Sequence, residues 1–97
     1  MSVQQSIVHE IQSLKPHLSR QFHVKEVSLF GSQARNEATT TSDVDLLVEF
    51  SDAASLFDLV RLKQFLEEEL HQSVDVVPNE SLRAELREQV LKEAVPL

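Results

Sequence analysis

The fold of this chain is decided by residues 28–50, which read SLFGSQARNEATTTSDVDLLVEF. Two apolar runs, each typical of a β-strand, flank a polar loop that begins at Gly31-Ser32 and ends at Asp43-x-Asp45. Gly31 is the only glycine in the protein. Because it lacks a Cβ, it can adopt unusual backbone dihedrals and approach a ligand closely. The stretch therefore predicts two strands joined by a loop that binds a ligand.

The paired carboxylates at the end of this loop indicate a metal site. Side chains at i and i+2 of a strand point to one face, so Asp43 and Asp45 should project together. The alternate apolar positions should project to the other face: Val44, Leu46, Val48 and Phe50. Two adjacent carboxylates repel each other and are costly to desolvate, which is relieved by a divalent cation between them. Oxygen ligands favour Mg²⁺ or Mn²⁺ over zinc, and Mg²⁺ prefers one or two carboxylates plus substrate phosphates.

The start of the loop supplies groups suited to phosphate. Ser32 offers a hydroxyl donor, and a helical turn beginning at residues 33–36 would present free N–H groups to an anion. Arg35 lies one turn after Gly31-Ser32, where a phosphate contact is the better interpretation than an ordinary surface arginine. Ser32 is not interpreted as a nucleophile because the Gly-x-Ser-x-Gly pattern is missing. A phosphate cradle facing an Asp pair predicts phosphoryl or nucleotidyl transfer.

These residues resemble a known family. The motif is similar to that of the minimal nucleotidyltransferases (MNT), a branch of the DNA polymerase beta superfamily, in the pieces Gly31-Ser32, Arg35 and Ser42-Asp43-x-Asp45-Leu46. The resemblance covers about residues 22–97. Asn36 departs from the pattern, since the family often has a second glycine after the arginine. Asn tolerates left-handed backbone conformations better than most residues, so the departure is small.

The resemblance implies roles for individual residues. Asp43 and Asp45 would hold the metal ions, and Asp75, on a third predicted strand, would complete the triad and help deprotonate the attacking hydroxyl. The alternative for Asp75 is a polar edge-strand residue turned to solvent. The nucleotide-binding residues would be those that hold the triphosphate: Gly31, Ser32, Arg35 and Ser42.

The acceptor is not identified by the residues themselves. Stand-alone MNT domains are commonly paired with HEPN-domain partners in toxin–antitoxin modules. The resemblance therefore implies an antitoxin that moves AMP from ATP, with Mg²⁺ (or Mn²⁺), to a tyrosine of a HEPN toxin. Two alternatives remain open. One is an antitoxin that binds nucleotide but acts by complex formation without turnover, and the other is a small-molecule nucleotidyltransferase assembled as a homodimer.

Composition narrows the class of protein. Ninety-seven residues with 41% hydrophobic content predict one globular domain spanning residues 1–97. The net charge of −7, without a basic stripe and without Trp or Tyr, argues against independent nucleic-acid binding and suits a basic protein partner. There is no cysteine. The absence of a signal peptide and of a long apolar run predicts a cytoplasmic protein with no membrane association.

The remaining patterns predict the fold class as α/β (α+β), with helices packed against a small mixed sheet. Helices are predicted over about residues 2–20, 55–71 and 80–94, and strands over 27–30, 43–50 and 74–77. Pro16 should kink or end the first helix near residues 13–15. Ser55 and Asp58 form a plausible capping pair for the second helix. Glu67-Glu68-Glu69 is interpreted as a solvated helix face, and the tail 95–97 should pack on the sheet or dock on a partner.

Overall fold

The computed structural model describes residues 3–31 and 43–97. Two long helices and a shorter one accompany four strands, and a 3₁₀ turn over Asn79–Ser81 follows the third strand. In chain order the elements are α1 (Val3–Phe22), β1 (Val24–Phe30), β2 (Val44–Phe50), α2 (Leu56–Leu70), β3 (Val74–Pro78), α3 (Ala84–Glu93) and β4 (Val95–Pro96). No helix in these ranges is long and apolar enough to cross a membrane.

The four strands form one mixed sheet in the order β3-β2-β1-β4. β1 pairs antiparallel with β2 and with β4, whereas β2 pairs parallel with β3. A parallel pair needs a crossover connection, and α2 supplies it between β2 and β3. This mixed α+β architecture confirms the predicted fold class.

The core lies between α1 and α2 and one face of the sheet. Alternate positions of β2 are buried on that face: Val44, Leu46 and Val48 are at most 1% exposed. α1 contributes Ile7, Ile11 and Leu18, and α2 contributes Leu62, Leu66 and Leu70. Leu47 points to the opposite face and is 6% exposed, so the apolar run at residues 46–48 is buried on both sides.

The first helix does not end near residues 13–15, although an end there was one of the two outcomes predicted for Pro16. α1 continues through Pro16 to Phe22. Proline lacks the N–H that would bond to the carbonyl of Gln12, one turn earlier. Both Gln12 and Pro16 lie on the exposed side of the helix, where water can bind that carbonyl, while Ile11 and Leu18 remain packed in the core. Burial of the apolar face therefore outweighs the missing hydrogen bond.

The last helix is shorter than predicted. Residues 79–81 form a 3₁₀ turn, in which Leu82 N–H donates to the Asn79 carbonyl at 3.3 Å, and α3 begins only at Ala84. Neither Asn79 nor Ser81 is its N-cap, because Arg83 occupies that position. No residue of α3 is buried.

The tail at residues 95–97 packs on the sheet. Val95 and Pro96 pair with β1, and Leu97 N–H donates to the Val27 carbonyl at 3.0 Å. The Leu97 side chain is 8% exposed and belongs to the core. Lys15 Nζ on α1 donates to the main-chain oxygen of Leu97. The tail therefore ties α1 to the edge of β1.

Replacing Leu97 with alanine should destabilise the domain. Leu97→Ala removes a buried side chain from the core, so we expect the free energy of unfolding to fall by about 2–5 kcal/mol. Urea denaturation measures it. Leu91→Ala is the matched control, since Leu91 is 52% exposed, and it should change stability by no more than about 0.5 kcal/mol. Equal losses in the two variants would show that Leu97 adds no more than a surface leucine.

Candidate active site

Gly31 ends β1 at the point where the chain turns into the polar loop. Its φ is +74°, a left-handed conformation that side chains with a Cβ rarely adopt. An ideal Cβ built on Gly31 would lie 3.2 Å from Cγ of Asp45 and closer still to its Oδ2. Both the dihedral and the space thus require glycine. The missing Cβ leaves room for the Asp45 carboxylate beside the backbone.

Asp45 and Asp75 lie beside each other on neighbouring strands. They are register partners in the parallel pair of β2 with β3. Adjacent strands lie about 4.8 Å apart, and partners in register point to the same face of the sheet. That face is opposite to the one buried under α1 and α2. Asp45 is half-buried and Asp75 is exposed.

Asp43 precedes β2, which begins at Val44, one residue later than predicted. It is exposed. Within residues 3–31 and 43–97, no three His, Cys, Asp or Glu side chains form a group that could hold a metal ion. The three predicted carboxylates are therefore not gathered around one point, although Asp45 and Asp75 are register partners. Mg²⁺ needs only one or two carboxylates when substrate phosphates complete its shell, so the oxygen donors at Asp45 and Asp75 fit this ion.

Three predicted nucleotide-binding residues, Ser32, Arg35 and Ser42, lie outside the residues that the structure describes, as does Asn36. Their roles stay predictions. Gly31 and Asp43 border that segment on either side, and β1 and β2 pair up to Phe30 and Asp45. The two ends of the predicted phosphate loop are thus held at the same end of the hairpin as the carboxylates.

Sequence reasoning missed a second set of residues near the site. Glu67 was predicted to be solvated, yet it is half-buried and its Oε2 accepts the Val74 N–H at 3.0 Å. Lys63 Nζ lies 3.2 Å from the same Oε2 and donates to the Val74 carbonyl at 2.6 Å. The Val74 hydrogen bond, and then Lys63, lower the pKa of the Glu67 carboxyl. The spacing of Lys63 and Glu67 predicts only a helix ion pair, so no sequence signal pointed to the strand.

At the other end of β2, the Asp58 side chain on α2 bonds to the residue before α2 and to the residue that links α1 to β1. Its Oδ2 accepts the Ser55 N–H at 2.9 Å, which confirms the predicted capping pair. The same oxygen lies 3.2 Å from Nδ1 of His23, the residue between α1 and β1. Asp58 is 6% exposed. The hydrogen bond from Ser55, followed by the interaction with His23, lowers the pKa of the Asp58 carboxyl.

This lowered pKa predicts a loss of stability in acid. A carboxyl with a lower pKa in the folded state stabilises that state above its unfolded pKa, about 3.9 for aspartate. The contribution is lost as pH falls through the lower folded pKa. We expect urea unfolding curves to show a steeper decline of stability below about pH 4 in wild type than in Asp58→Asn, which cannot titrate. Parallel declines in the two proteins would contradict the prediction.

The family model described as "Nucleotidyltransferase domain" matches residues 11–97. The chain belongs to this family, and the predicted resemblance is confirmed.

Several named proteins are similar to this chain. Protein adenylyltransferase MntA of Thermococcus cleftensis is 39% identical over 92 residues, which cover 91% of this chain and 93% of the relative. A predicted protein adenylyltransferase of Methanocaldococcus jannaschii is 54% identical over 72 residues, covering 74% and 77%. The solved structure of a predicted minimal nucleotidyltransferase is 41% identical with a TM-score of 0.82, covering all of this chain and 97% of the other.

Two solved complexes are also similar. A toxin–antitoxin complex with AMP-PNP contains a chain that is 27% identical with a TM-score of 0.71, covering 90% of this chain and 70% of that one. A complex of the tri-AMPylated Shewanella oneidensis HEPN toxin with MNT antitoxin contains a chain that is 26% identical with a TM-score of 0.65. The match covers 97% of this chain and 71% of that one. Chains of this fold therefore occur in complexes with a nucleotide analogue and with HEPN toxins.

Proposed function

We propose that this chain transfers AMP from ATP to a tyrosine hydroxyl of a HEPN-domain partner and so acts as an antitoxin in the cytoplasm. The observation that carries the proposal is the register of Asp45 with Asp75, beside a backbone that only glycine can form. The likeness to protein adenylyltransferase MntA, over 91% of this chain, supports protein as the acceptor. The complex of the S. oneidensis HEPN toxin with its MNT antitoxin supports the partner.

The carboxylates would hold Mg²⁺ (or Mn²⁺), with Asp43, Asp45 and Asp75 as the protein ligands. When bound, such an ion neutralises the triphosphate and stabilises charge at the attacked phosphorus. The half-buried Asp45 has its carboxylate beside the Gly31 backbone, whereas Asp43 and Asp75 are exposed. Gly31, Ser32, Arg35 and Ser42 would hold the phosphates.

The transfer itself is a displacement at the α-phosphorus. The acceptor oxygen forms a bond to phosphorus, the bond to the oxygen bridging the α- and β-phosphates breaks, and pyrophosphate leaves. The hydroxyl proton passes to a carboxylate acting as general base. Asp75 suits this role because it is exposed on the edge strand β3, where a second protein can approach.

Intact-mass spectrometry tests the proposed function. The acceptor in the assay is a purified HEPN-domain protein. After incubation with this chain, ATP and Mg²⁺, each modified partner should gain the mass of AMP less water. Replacing Mg²⁺ by EDTA should abolish the gain, because the triphosphate charge is then not neutralised. A partner whose mass does not change, with Mg²⁺ present, would contradict the proposal.

A second candidate function is an antitoxin that acts by complex formation alone. It is favoured by an apolar surface on the first turn of α2, where Leu56 is 82% and Phe57 79% exposed. Exposed side chains of this size often mark a protein interface. The mass experiment separates the two candidates. A partner that is neutralised without gaining AMP supports complex formation, whereas AMP addition supports the enzyme.

A further inference from the structure

Two side chains of α2 hold one residue of β3 by both of its main-chain groups. Glu67 Oε2 accepts the Val74 N–H at 3.0 Å, and Lys63 Nζ donates to the Val74 carbonyl at 2.6 Å. The two side chains also bond to each other at 3.2 Å. Glu67 is thereby fixed from two sides, and the pair forms a closed clamp on the first residue of the strand.

The clamp lies at the start of β3, an edge strand of the sheet. β3 has five residues and is an edge strand, so it pairs with β2 on one side only. The outward main-chain groups of an edge strand otherwise face solvent and allow the strand to fray. One residue earlier, the Ser73 carbonyl accepts the Val44 N–H at 2.9 Å. The start of β3 is thus bonded to α2 on one side and to the start of β2 on the other.

The residues that follow these two anchors are the candidate carboxylates. Asp75 follows Val74, and Asp45 follows Val44. Any shift of Val74 moves Asp75 with it, since the two share a peptide unit. A misplacement of about 1 Å at a reacting group can lower a rate by about 10²-fold. The position of Asp75 against Asp45 therefore depends on the bonds from α2.

We propose that Glu67 and Lys63 are positioning residues for AMP transfer, which act by fixing Val74 and hence Asp75. The inference rests on the proposed function, in which Asp75 contacts the reacting groups. Neither α2 residue touches substrate in this role. Their effect on the position of Asp75 is transmitted through the main chain of Val74.

Two substitutions of Glu67 separate the hydrogen bond from the bulk of the side chain. Glu67→Gln keeps an oxygen that can accept the Val74 N–H, whereas Glu67→Ala removes it. Amide hydrogen exchange of the folded proteins gives a readout independent of activity. We expect faster exchange at Val74 in Glu67→Ala and nearly wild-type exchange in Glu67→Gln. Glu88→Ala on α3 is the matched control, because Glu88 also pairs with a lysine four residues away, at 3.8 Å, but both partners are exposed.

Transfer kinetics give the second readout. Glu67→Ala should lower kcat by about 10- to 100-fold, the usual effect of losing an outer partner of a site. The KM for ATP should change little, because the predicted phosphate contacts come from the loop after β1. Glu67→Gln should recover most of kcat. Lys63→Met, which loses the bond to the Val74 carbonyl, should lower kcat in the same direction and provides a second variant if Glu67→Ala does not fold.

The outcomes distinguish the positioning role from the proposed function. An active wild type with an equally active Glu67→Ala overturns the positioning role alone, as does unchanged Val74 exchange in that variant. A fall in kcat that Glu67→Gln does not recover also overturns it. A wild-type protein that adds no AMP to the HEPN-domain partner overturns the proposed function and the positioning role with it.

Discussion

An Asp75→Asn variant should add AMP to its HEPN-domain partner about 10²- to 10⁴-fold more slowly than wild type, the usual range for loss of a general base. Asparagine nearly preserves the volume of aspartate but cannot accept the hydroxyl proton. Because Asp75 is exposed at the sheet edge, folding and partner binding should survive. Time-resolved intact-mass spectrometry gives the rate, and pull-down of the partner checks binding.

Asp52→Asn is the control for this experiment. Asp52 is another exposed aspartate, but it follows the opposite end of β2. It should transfer AMP at the wild-type rate. If Asp75→Asn transfers as fast as wild type, Asp75 is the solvent-facing edge residue that the sequence also allowed, and the enzyme works without it.

A Gly31→Val variant should lose ATP binding while keeping its fold. The positive φ of Gly31 disfavours any side chain by roughly 1–2 kcal/mol, and the branched valine would also meet the Asp45 carboxylate. Asp45 must then move from the site, or the turn must open. Isothermal titration with ATP and Mg²⁺ measures the affinity, and circular dichroism measures the fold.

Glu26→Val provides the comparison, since it places the same side chain on an exposed position of the same strand. It should bind ATP as wild type does. A folded Gly31→Val with wild-type ATP affinity would show that Gly31 only terminates β1, and that the phosphate-binding role assigned to this turn is wrong.

The parts of the fold that sequence predicted well depend on local patterns. The alternation of β2 and the cap formed by Ser55 and Asp58 each involve residues a few positions apart. The predictions that were wrong depend on tertiary contacts. Pro16 does not end α1, because the buried residues on either side of it keep the helix continuous. β1 begins at Val24 and not near residue 27, because pairing with β2 extends it towards the helix.

The candidate site divides in the same way. The closeness of Gly31 to Asp45 could be predicted from the sequence because both residues flank one loop. The register of Asp45 with Asp75 was expected only through family resemblance, since 30 positions of chain and a helix separate them. No pattern in the sequence indicated the hydrogen bonds that Lys63 and Glu67 make with Val74. Charged residues at helix spacing predict an exposed pair equally well.

The register of Asp45 with Asp75 also makes the site a compromise between stability and activity. Like charges opposite each other on neighbouring strands destabilise a sheet, so the ligand-free domain carries repulsion between β2 and β3 that neutral residues would not produce. A bound cation would relieve it, and the relief adds to the affinity for that cation. We therefore expect neutral residues at these two positions to stabilise the ligand-free domain while removing the proposed metal ligands.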